Sequence, residues 1–272
     1  MQMEGEQRLH ADNNDRHGQE SSDFESVGSI AKVCLLAGKI ILQSGGETSR
    51  VEDTMTRIAA AYGIADSHSY VTPTGILFAA NGSAPATQLI RISERSVNLR
   101  KVSLVNDISR KISGGRLAAE EAYELLKEVD KQASTYSPRL QVLAAALASG
   151  SFVIVFQGGW QDFLPAFLAG GLGFMLVLAL HKFVPVKFFA EFIAAAAIGV
   201  SAALMVQTGF GRQLDSIIIG SVMPLVPGLH ITNAVRDLMA GHLVSGLSKG
   251  AEAFLTAFAI GAGIAVVLSF YS

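Results

Sequence analysis

The sequence has a single cysteine and, over its second half, very few charged side chains. Because Cys34 has no second cysteine to pair with, no disulfide forms within the chain, and a cytoplasmic location fits its domain. Of the 44 Lys, Arg, Asp and Glu residues, 34 lie up to and including Arg139. An ionised side chain at mid-bilayer costs about 2.5–3.5 kcal/mol, so this distribution indicates a membrane-embedded C-terminal half.

The chain also lacks the short motifs of several enzyme classes. It has no Walker-type P-loop, and its six histidines show no metal-ligand spacing, so neither a metal nor a cofactor is predicted. Residues Gly246–Gly250 match G-x-S-x-G, but a nucleophile elbow needs a preceding strand, and this segment lies between two apolar stretches. We therefore predict no catalytic residue and no enzyme. The net charge of −2 gives no argument for nucleic-acid binding.

The second half contains five stretches without a charged residue. Each is about 18–22 residues long, which at roughly 1.5 Å per helical residue matches a hydrocarbon core of about 30 Å. Soluble core helices rarely run this long without charge five times in succession, which disfavours a large soluble helical core. The sequence predicts five transmembrane helices within Leu140–Gln161, Phe163–Leu180, Phe192–Gly211, Ser216–Val235 and Ala253–Ser272.

Basic residues at the ends of these stretches predict the orientation. The first, third and fifth boundaries are basic, with Arg139, with Lys182 and Lys187, and with Arg236 and Lys249, respectively. The second boundary has no Lys or Arg, and the fourth has Arg212 alone. By the positive-inside rule, the N-terminal part is cytoplasmic. Because five is an odd number, the C-terminus is predicted to lie outside the cell membrane.

The N-terminal half is predicted to hold a polar disordered tail (1–26), without a secretory signal, and a cytosolic α+β domain (27–137) before the membrane domain (138–272). Alternatively, the α+β part could be a layer docked on the membrane domain rather than an independently folded domain. Its predicted order is two helices, two strands and two helices. The helices are Val27–Gln43, one opened by a Ser49–Glu52 capping box, Ser96–Ile112 and Leu117–Lys131; the strands are Ser69–Ala79 and Thr87–Ser93.

Two motifs carry a family resemblance. The segment Leu42–Glu52, with the sequence LQSGGETSRVE, resembles the opening signature of the threonine/serine exporter (ThrE) family. The second match is Pro224–Gly228, with the sequence PLVPG, and the residues that follow it in the pattern are Asn233, Asp237, Gly241 and Gly246. The resemblance covers the chain from about Val27 to its C-terminus.

The resemblance implies a transport function and a partner. Full-length members of the family have a cytosolic domain and ten spans, whereas this chain matches the YjjP-type half, which works with a separate small membrane protein of the YjjB type. That pair is associated with succinate export, and the single-chain members export threonine and serine. The resemblance therefore leaves the substrate open between a small organic acid and a hydroxy amino acid.

The second motif is the predicted substrate-binding region. Pro224 and Pro227 each remove an amide donor within an apolar segment, and Gly228 is expected to let the chain turn. Helices broken at mid-membrane often hold substrates, with the helix N-terminus facing an anionic group. We predict that the restarting helix binds a substrate carboxylate with His230 and Asn233; a simple proline kink is the alternative.

Other polar residues have two interpretations each. Glu191 is either a proton-coupling carboxylate or, as the sequence favours, an ion-pair partner of Lys187. Asp237 either anchors the helix at the membrane interface or, with the family match, takes part in gating or substrate entry. The motif residues of the cytosolic domain are Glu47, Thr48, Arg50 and Glu52. Capping explains Glu52, whereas Arg50 could contact the membrane half or an anionic ligand.

Together these observations predict a subunit of a secondary exporter of small carboxylate-bearing metabolites in the inner membrane. An ion gradient would supply the energy, because no nucleotide-binding loop is present. Succinate-like dicarboxylates are the first choice of substrate and threonine or serine the second; a membrane-anchored sensor or hydrolase is a further alternative. The predicted partners are the lipid bilayer and a YjjB-type protein, and a homo-oligomer stays open.

Overall fold

A computed structural model describes residues 27–80, 86–132, 136–183 and 188–271 of the chain. They form two compact units. The first comprises the described part of Met1–Thr135 together with Asn233–Ser248, and the second comprises the described parts of Tyr136–Thr232 and Lys249–Ser272. The predicted disordered tail, 1–26, lies outside the described residues. The predicted domains are contiguous in sequence, whereas the first unit also takes in a segment from late in the chain.

The N-terminal part of the first unit contains the helices α1 (27–43), α2 (Thr48–Ala61), α3 (Leu99–Ser113) and α4 (Ala119–Lys131). Helix α1 ends, as predicted, at a glycine pair. Gly45 has a φ of 86°, and the Gly46 amide donates to the Ile41 carbonyl at 2.9 Å. Helix α3 begins three residues after its predicted start, because the Asn98 side chain accepts from the Lys101 amide at 3.3 Å and caps the helix there.

The sheet has three antiparallel strands among the described residues, in the order β1 (Ser67–Thr72), β2 (Gly75–Ala80) and β3 (Ala86–Arg91). The prediction of one strand over Ser69–Ala79 is wrong. A two-residue turn at Pro73-Thr74 divides it, with Thr72 opposite Gly75. Proline has no amide to donate to a strand partner and its fixed φ suits a turn, so this residue was the signal for the hairpin.

The core of the first unit lies between its helices and one face of the sheet. Alternate residues of β2 point into it, which leaves Leu77 partly exposed on the other face. Burial of each large apolar side chain contributes roughly 1.5–3 kcal/mol. The largest fully buried side chains here are Leu35, Ile40, Ile41, Leu42, Met55, Ile58, Ile76, Phe78, Ile112 and Leu126.

The second unit consists mainly of long apolar helices: α5 (Pro138–Val155), α6 (Trp160–Phe183), α7 (Phe189–Gln207), α8 (Leu214–Val222), a 3-10 turn (Met223–Leu225), α9 (Gly228–Met239) and α10 (Leu243–Tyr271). Helices α9 and α10 each have one end in the first unit. Four described helices, α5, α6, α7 and α10, are long and apolar enough to cross a membrane. The pair Leu214–Leu225 and Gly228–Met239 is bent by 60° and makes a fifth crossing if it counts as one. The chain is thus mostly helical, with four or five candidate spans.

Small residues bring the helices of the second unit close together. A Cβ atom on Gly220 of α8 would lie 2.8 Å from the Ser149 carbonyl oxygen of α5. The Ser221 hydroxyl, next in the chain, donates to the Ala166 carbonyl of α6 at 3.2 Å. Such close approach with interhelical hydrogen bonds is the usual packing mode of membrane helices. Many large apolar side chains face outward, among them Leu147, Trp160, Phe183, Phe254, Phe258 and Phe270, as in a polytopic membrane protein.

A buried carboxylate holds the start of α8. Asp162, in the first turn of α6, is 1% exposed, and its Oδ1 accepts from the amides of Arg212 at 2.7 Å and Gln213 at 3.3 Å. These amides precede α8 and have no carbonyl partner within that helix, so Asp162 acts as a cap from another helix. Asp162 lies between the first two uncharged stretches, and the sequence pattern gave no sign of this role.

Burial of Cys34 in α1 predicts an unreactive thiol. The side chain is fully buried, and this burial raises the pKa of the thiol to about 12, against a smaller opposing effect of a backbone hydrogen bond. With that pKa, only about one thiol in ten thousand is ionised at pH 8. We expect almost no maleimide labelling of the folded chain in detergent and complete labelling after denaturation, measured by mass spectrometry.

A matched control carries Cys34→Ala together with Ser103→Cys, which moves the thiol to an exposed position on α3. This variant should label rapidly in the folded state. Labelling of native Cys34 at a rate similar to that of the exposed cysteine would contradict its placement in the core.

Candidate functional site

Two motifs that are far apart in the sequence meet within the first unit. One is the loop between α1 and α2 with the first turn of α2. The other comprises the second half of α9, from Asn233, and the start of α10, up to Ser248. This meeting point is called the motif junction below.

The centre of the motif junction is the carboxylate of Asp237. This residue is fully buried; its Oδ1 accepts from the Thr48 amide at 3.0 Å and its Oδ2 accepts from the Thr48 hydroxyl at 2.9 Å. The Ser245 hydroxyl lies 2.5 Å from the Thr48 hydroxyl. Because the single hydroxyl proton of Thr48 is directed at the carboxylate, Ser245 is the donor in that contact. The result is a buried chain of hydrogen bonds from α10 through α2 to α9.

Asp237 therefore caps α2 from another part of the chain. The residue before α2, Glu47, makes no side-chain capping bond. A carboxylate at this position accepts a free first-turn amide and interacts favourably with the positive end of the helix dipole. The prediction of a capping box at Ser49–Glu52 is wrong, because α2 already begins at Thr48 and its free amide is satisfied by Asp237.

Asn233, one turn earlier on the same face of α9, holds the other side of the loop. Its Nδ2 donates to the Gly45 carbonyl at 2.8 Å, just beyond the C-terminal end of α1. The carbonyls at a helix C-terminus lack partners within the helix. One face of α9 thus supplies an acceptor for the start of α2 and a donor near the end of α1, and so fixes the loop between them.

Charged side chains surround the buried centre. Glu47 Oε1 forms an ion pair with Arg236 Nη1, and Arg50 Nη2 lies 3.9 Å from the same oxygen. Glu52 Oε1 accepts from the Val71 amide at 3.1 Å, and its Oε2 lies 3.8 Å from His242 Nε2. Glu52 therefore joins α2 to β1 and approaches the segment before α10, a role different from the predicted cap.

Burial is the main influence on the Glu52 carboxyl. It raises the pKa of this group, and the nearby Asp237 carboxylate acts in the same direction. The His242 side chain and the hydrogen bond from the Val71 amide oppose the increase without cancelling it.

The second motif breaks the chain where the prolines predicted a break. Pro224 lies in the 3-10 turn after α8, Val226 is extended, and α9 starts at Gly228 immediately after Pro227. The chain turns at this break, as expected, but the backbone does not require glycine at position 228: its φ is not positive, and a Cβ atom there would meet nothing within 4 Å.

The predicted substrate-binding residues fall into two groups. Pro224, Pro227, Gly228 and His230 belong to the second unit, whereas Asn233 and Asp237 belong to the motif junction. Their role in carboxylate binding stays a prediction. The amide of Asn233 and the carboxylate of Asp237 already have partners within the chain.

Glu191 lies in the first turn of α7. Its Oε1 is 3.2 Å from His181 Nε2, near the end of α6, and its Oε2 is buried without a hydrogen-bond partner among the described residues. Lys187, the predicted partner, lies outside the described residues. Sequence reasoning did not select His181, whose signal was its position among the last residues of α6. Coupling to protons stays a prediction for Glu191.

No group of three or more His, Cys, Asp or Glu residues with metal-binding geometry occurs in the described ranges. The junction is instead a hydrogen-bonded and ion-paired contact between helices. The architecture and the junction together define a polytopic helical membrane protein with a small α+β unit.

Comparison with known proteins identifies the family. The model of the ThrE family, described as "Putative threonine/serine exporter", matches residues 32–271. The chain belongs to this family of transporters. No solved structure is significantly similar to it.

Relatives of two kinds are similar to the chain. It is 24% identical over 255 residues to a "Threonine/serine exporter" of Corynebacterium glutamicum, which covers 89% of this chain and 51% of that protein. It is 25% and 26% identical to proteins named "Probable succinate transporter subunit YjjP" from Klebsiella aerogenes and Escherichia coli K12. Those alignments cover 92% and 91% of this chain and 97% and 96% of the relatives. The chain thus spans about half the length of the first relative and nearly all of the other two.

The raised pKa of Glu52 predicts a pH-dependent stability. Between the ordinary glutamate pKa and the raised value, the folded chain binds more protons than the unfolded chain, so the free energy of unfolding falls as the pH rises through this window. Below this pH window the free energy of unfolding is not reduced by Glu52, and above the window the reduction is complete. Glu52→Gln keeps an acceptor for the Val71 amide and removes the titration. We expect wild type to lose stability relative to this variant as the pH rises, measured by thermal unfolding in detergent.

The control for this experiment is Glu128→Gln, which removes an exposed carboxylate on α4. The pH-dependent change in stability that Glu52→Gln removes should exceed the change that this control removes over the same pH range. A constant difference between wild type and Glu52→Gln would contradict the effect of burial on Glu52.

Proposed function

We propose that the chain is a subunit of a secondary exporter that moves small carboxylate-bearing metabolites out of the cytoplasm, with succinate-like dicarboxylates favoured. It would act with a small YjjB-type membrane partner. The observation that carries this proposal is the broken apolar segment around Pro224–Pro227, bent by 60°, in a member of an exporter family.

The break provides the chemistry that a carboxylate substrate needs. Irregular backbone at membrane depth is tolerated only against protein or a water-filled cavity. Helix α9 restarts at Gly228, and the positive end of its dipole attracts an anionic group. His230, two residues later, adds a side chain that donates hydrogen bonds. In this proposal Pro224 and Pro227 keep the helix start open for the substrate.

The motif junction supplies a means of control. Helix α9 carries the break at its N-terminal end, whereas Asn233 and Asp237 in its second half bind the loop between α1 and α2. Because a helix transmits displacement along its axis, a shift of that loop would move the substrate-binding end. We assign the gating role to Asp237 and its partners on this ground.

The remaining features of the proposal concern the membrane. The first unit would lie in the cytoplasm and the C-terminus outside the inner membrane, as the distribution of basic residues predicts. An ion gradient would drive export, and Glu191 with His181 at 3.2 Å is the candidate pair for proton coupling.

The lengths of the alignments favour a transporter subunit over a full-length, single-chain exporter. The match extends over nearly the whole of the two proteins named as succinate transporter subunits and over half of the threonine/serine exporter. Threonine and serine export is the second candidate, because the identity to that exporter is nearly as high.

Reconstitution in liposomes tests both candidates. The purified chain is inserted with and without a YjjB-type partner, and counterflow of labelled succinate and threonine is measured separately. Succinate flux that requires both proteins is the expected result. Threonine flux alone would favour the second candidate, and flux of neither substrate under both conditions would contradict the exporter assignment for these substrates.

Proline variants test the site within the same assay. Replacing Pro224 and Pro227 by alanine restores amide donors at the break and should reduce flux by roughly tenfold or more. Pro138→Ala, in the first turn of α5, is the matched control, since proline there removes no hydrogen bond within the helix. Full flux and affinity in the double variant would exclude the break as the substrate site.

A further inference from the structure

The first unit has an open cleft of about 470 Å³ between α2 and α3. Its residues come from α2, with the residue before that helix, and from the second half of α3. They are Glu47, Ser49, Arg50, Asp53, Thr54, Arg57, Asn106, Ser109 and Arg110. Arg50 is the motif residue that helix capping does not explain.

Cationic groups are in excess in this cleft. Three arginines face two carboxylates, and both carboxylates already have cationic partners. Asp53 Oδ2 accepts from Arg57 Nη2 at 2.5 Å, and Glu47 pairs with Arg236 outside the cleft. The guanidinium of Arg110 has no acceptor within the described part of the chain.

Unused hydrogen-bond donors lie beside these charges. Thr54 of α2 and Ser109 of α3 are each only 4% exposed and both line the cleft. Neither hydroxyl has a hydrogen-bond partner among the described residues, and the same holds for the side-chain amide of Asn106. Neither hydroxyl oxygen is among the fully buried, unpartnered side-chain atoms of the described residues, so both hydroxyls open into the cleft and can donate to a ligand there.

We propose that this cleft binds a small oxyanion, a dicarboxylate or inorganic phosphate, through Arg50 and Arg110 with the Thr54 and Ser109 hydroxyls. A guanidinium presents paired N–H groups that match carboxylate and phosphate oxygens, and such charge-assisted bonds are the strong ones. The hydroxyls donate to the remaining oxygens. The site lies entirely in the first unit and includes none of the residues proposed for transport, so it would serve to sense an anion.

Glu47 gives this site a connection to the motif junction. Its Oε1 is shared between Arg236 of α9 and Arg50, which lies 3.9 Å away. An anion bound to Arg50 competes with Glu47 for that guanidinium and leaves Glu47 to Arg236. Occupancy of the cleft would therefore strengthen the ion pair to α9.

Equilibrium dialysis of the full chain in detergent tests this site, with labelled succinate and labelled phosphate as separate probes. Arg110→Gln should weaken binding of the recognised anion by roughly tenfold or more, and Thr54→Val should weaken it by a smaller factor. Arg100→Gln removes the same charge from α3 outside the cleft and should have no effect. Raising the salt concentration from about 50 to about 500 mM should weaken binding, because the site is open to solvent.

The outcomes separate this site from the transport site. If Arg110→Gln weakens the binding of only one of the two labelled anions, that anion is the ligand of the cleft. Binding that survives in the Pro224→Ala, Pro227→Ala double variant shows independence from the broken segment. The proposal is overturned if wild type binds neither anion saturably, or if Arg110→Gln and Thr54→Val bind both as wild type does.

Discussion

The structure of the first unit depends on the buried pair of Asp237 and Thr48. An ionised carboxylate without partners in a protein interior is strongly unfavourable, and so is a buried helix start without acceptors. Each group supplies what the other lacks, although 189 residues separate them in the chain. Helix α2 also carries core residues such as Met55 and Ile58, so the contact with α9 holds the start of a helix whose apolar face belongs to the core.

In the second unit, too, a buried carboxylate accepts backbone amides at the start of a helix. Asp162 of α6 accepts the amides before α8, as Asp237 accepts the amide at the start of α2. In both cases an acidic residue that looks like a boundary charge in the sequence is buried and caps a distant helix. These two contacts hold the helices on either side of the break: α8 at its start and α9 in its second half.

Sequence reasoning succeeded where the determinant is local. The glycine pair after α1, the long apolar segments and the break at Pro224–Pro227 are each set by a few neighbouring residues. It failed where the partner is distant: the capping box at Ser49–Glu52 competed with Asp237, whose proximity to Thr48 no local pattern contains. The resemblance named Thr48, Asn233 and Asp237, but only the fold brings them together. The cleft beside Arg110 likewise requires the packing of α2 on α3.

A double-mutant cycle on the full chain tests the central claim most directly. Thr48→Val and Asp237→Ala are made singly and together, and the free energy of unfolding in detergent is measured for each, with Thr48→Ser as the variant that keeps the hydroxyl. We expect a coupling energy of about 1 kcal/mol or more between the two positions, because each single change removes the same hydrogen bond. Effects that add to within about 0.3–0.5 kcal/mol would contradict it.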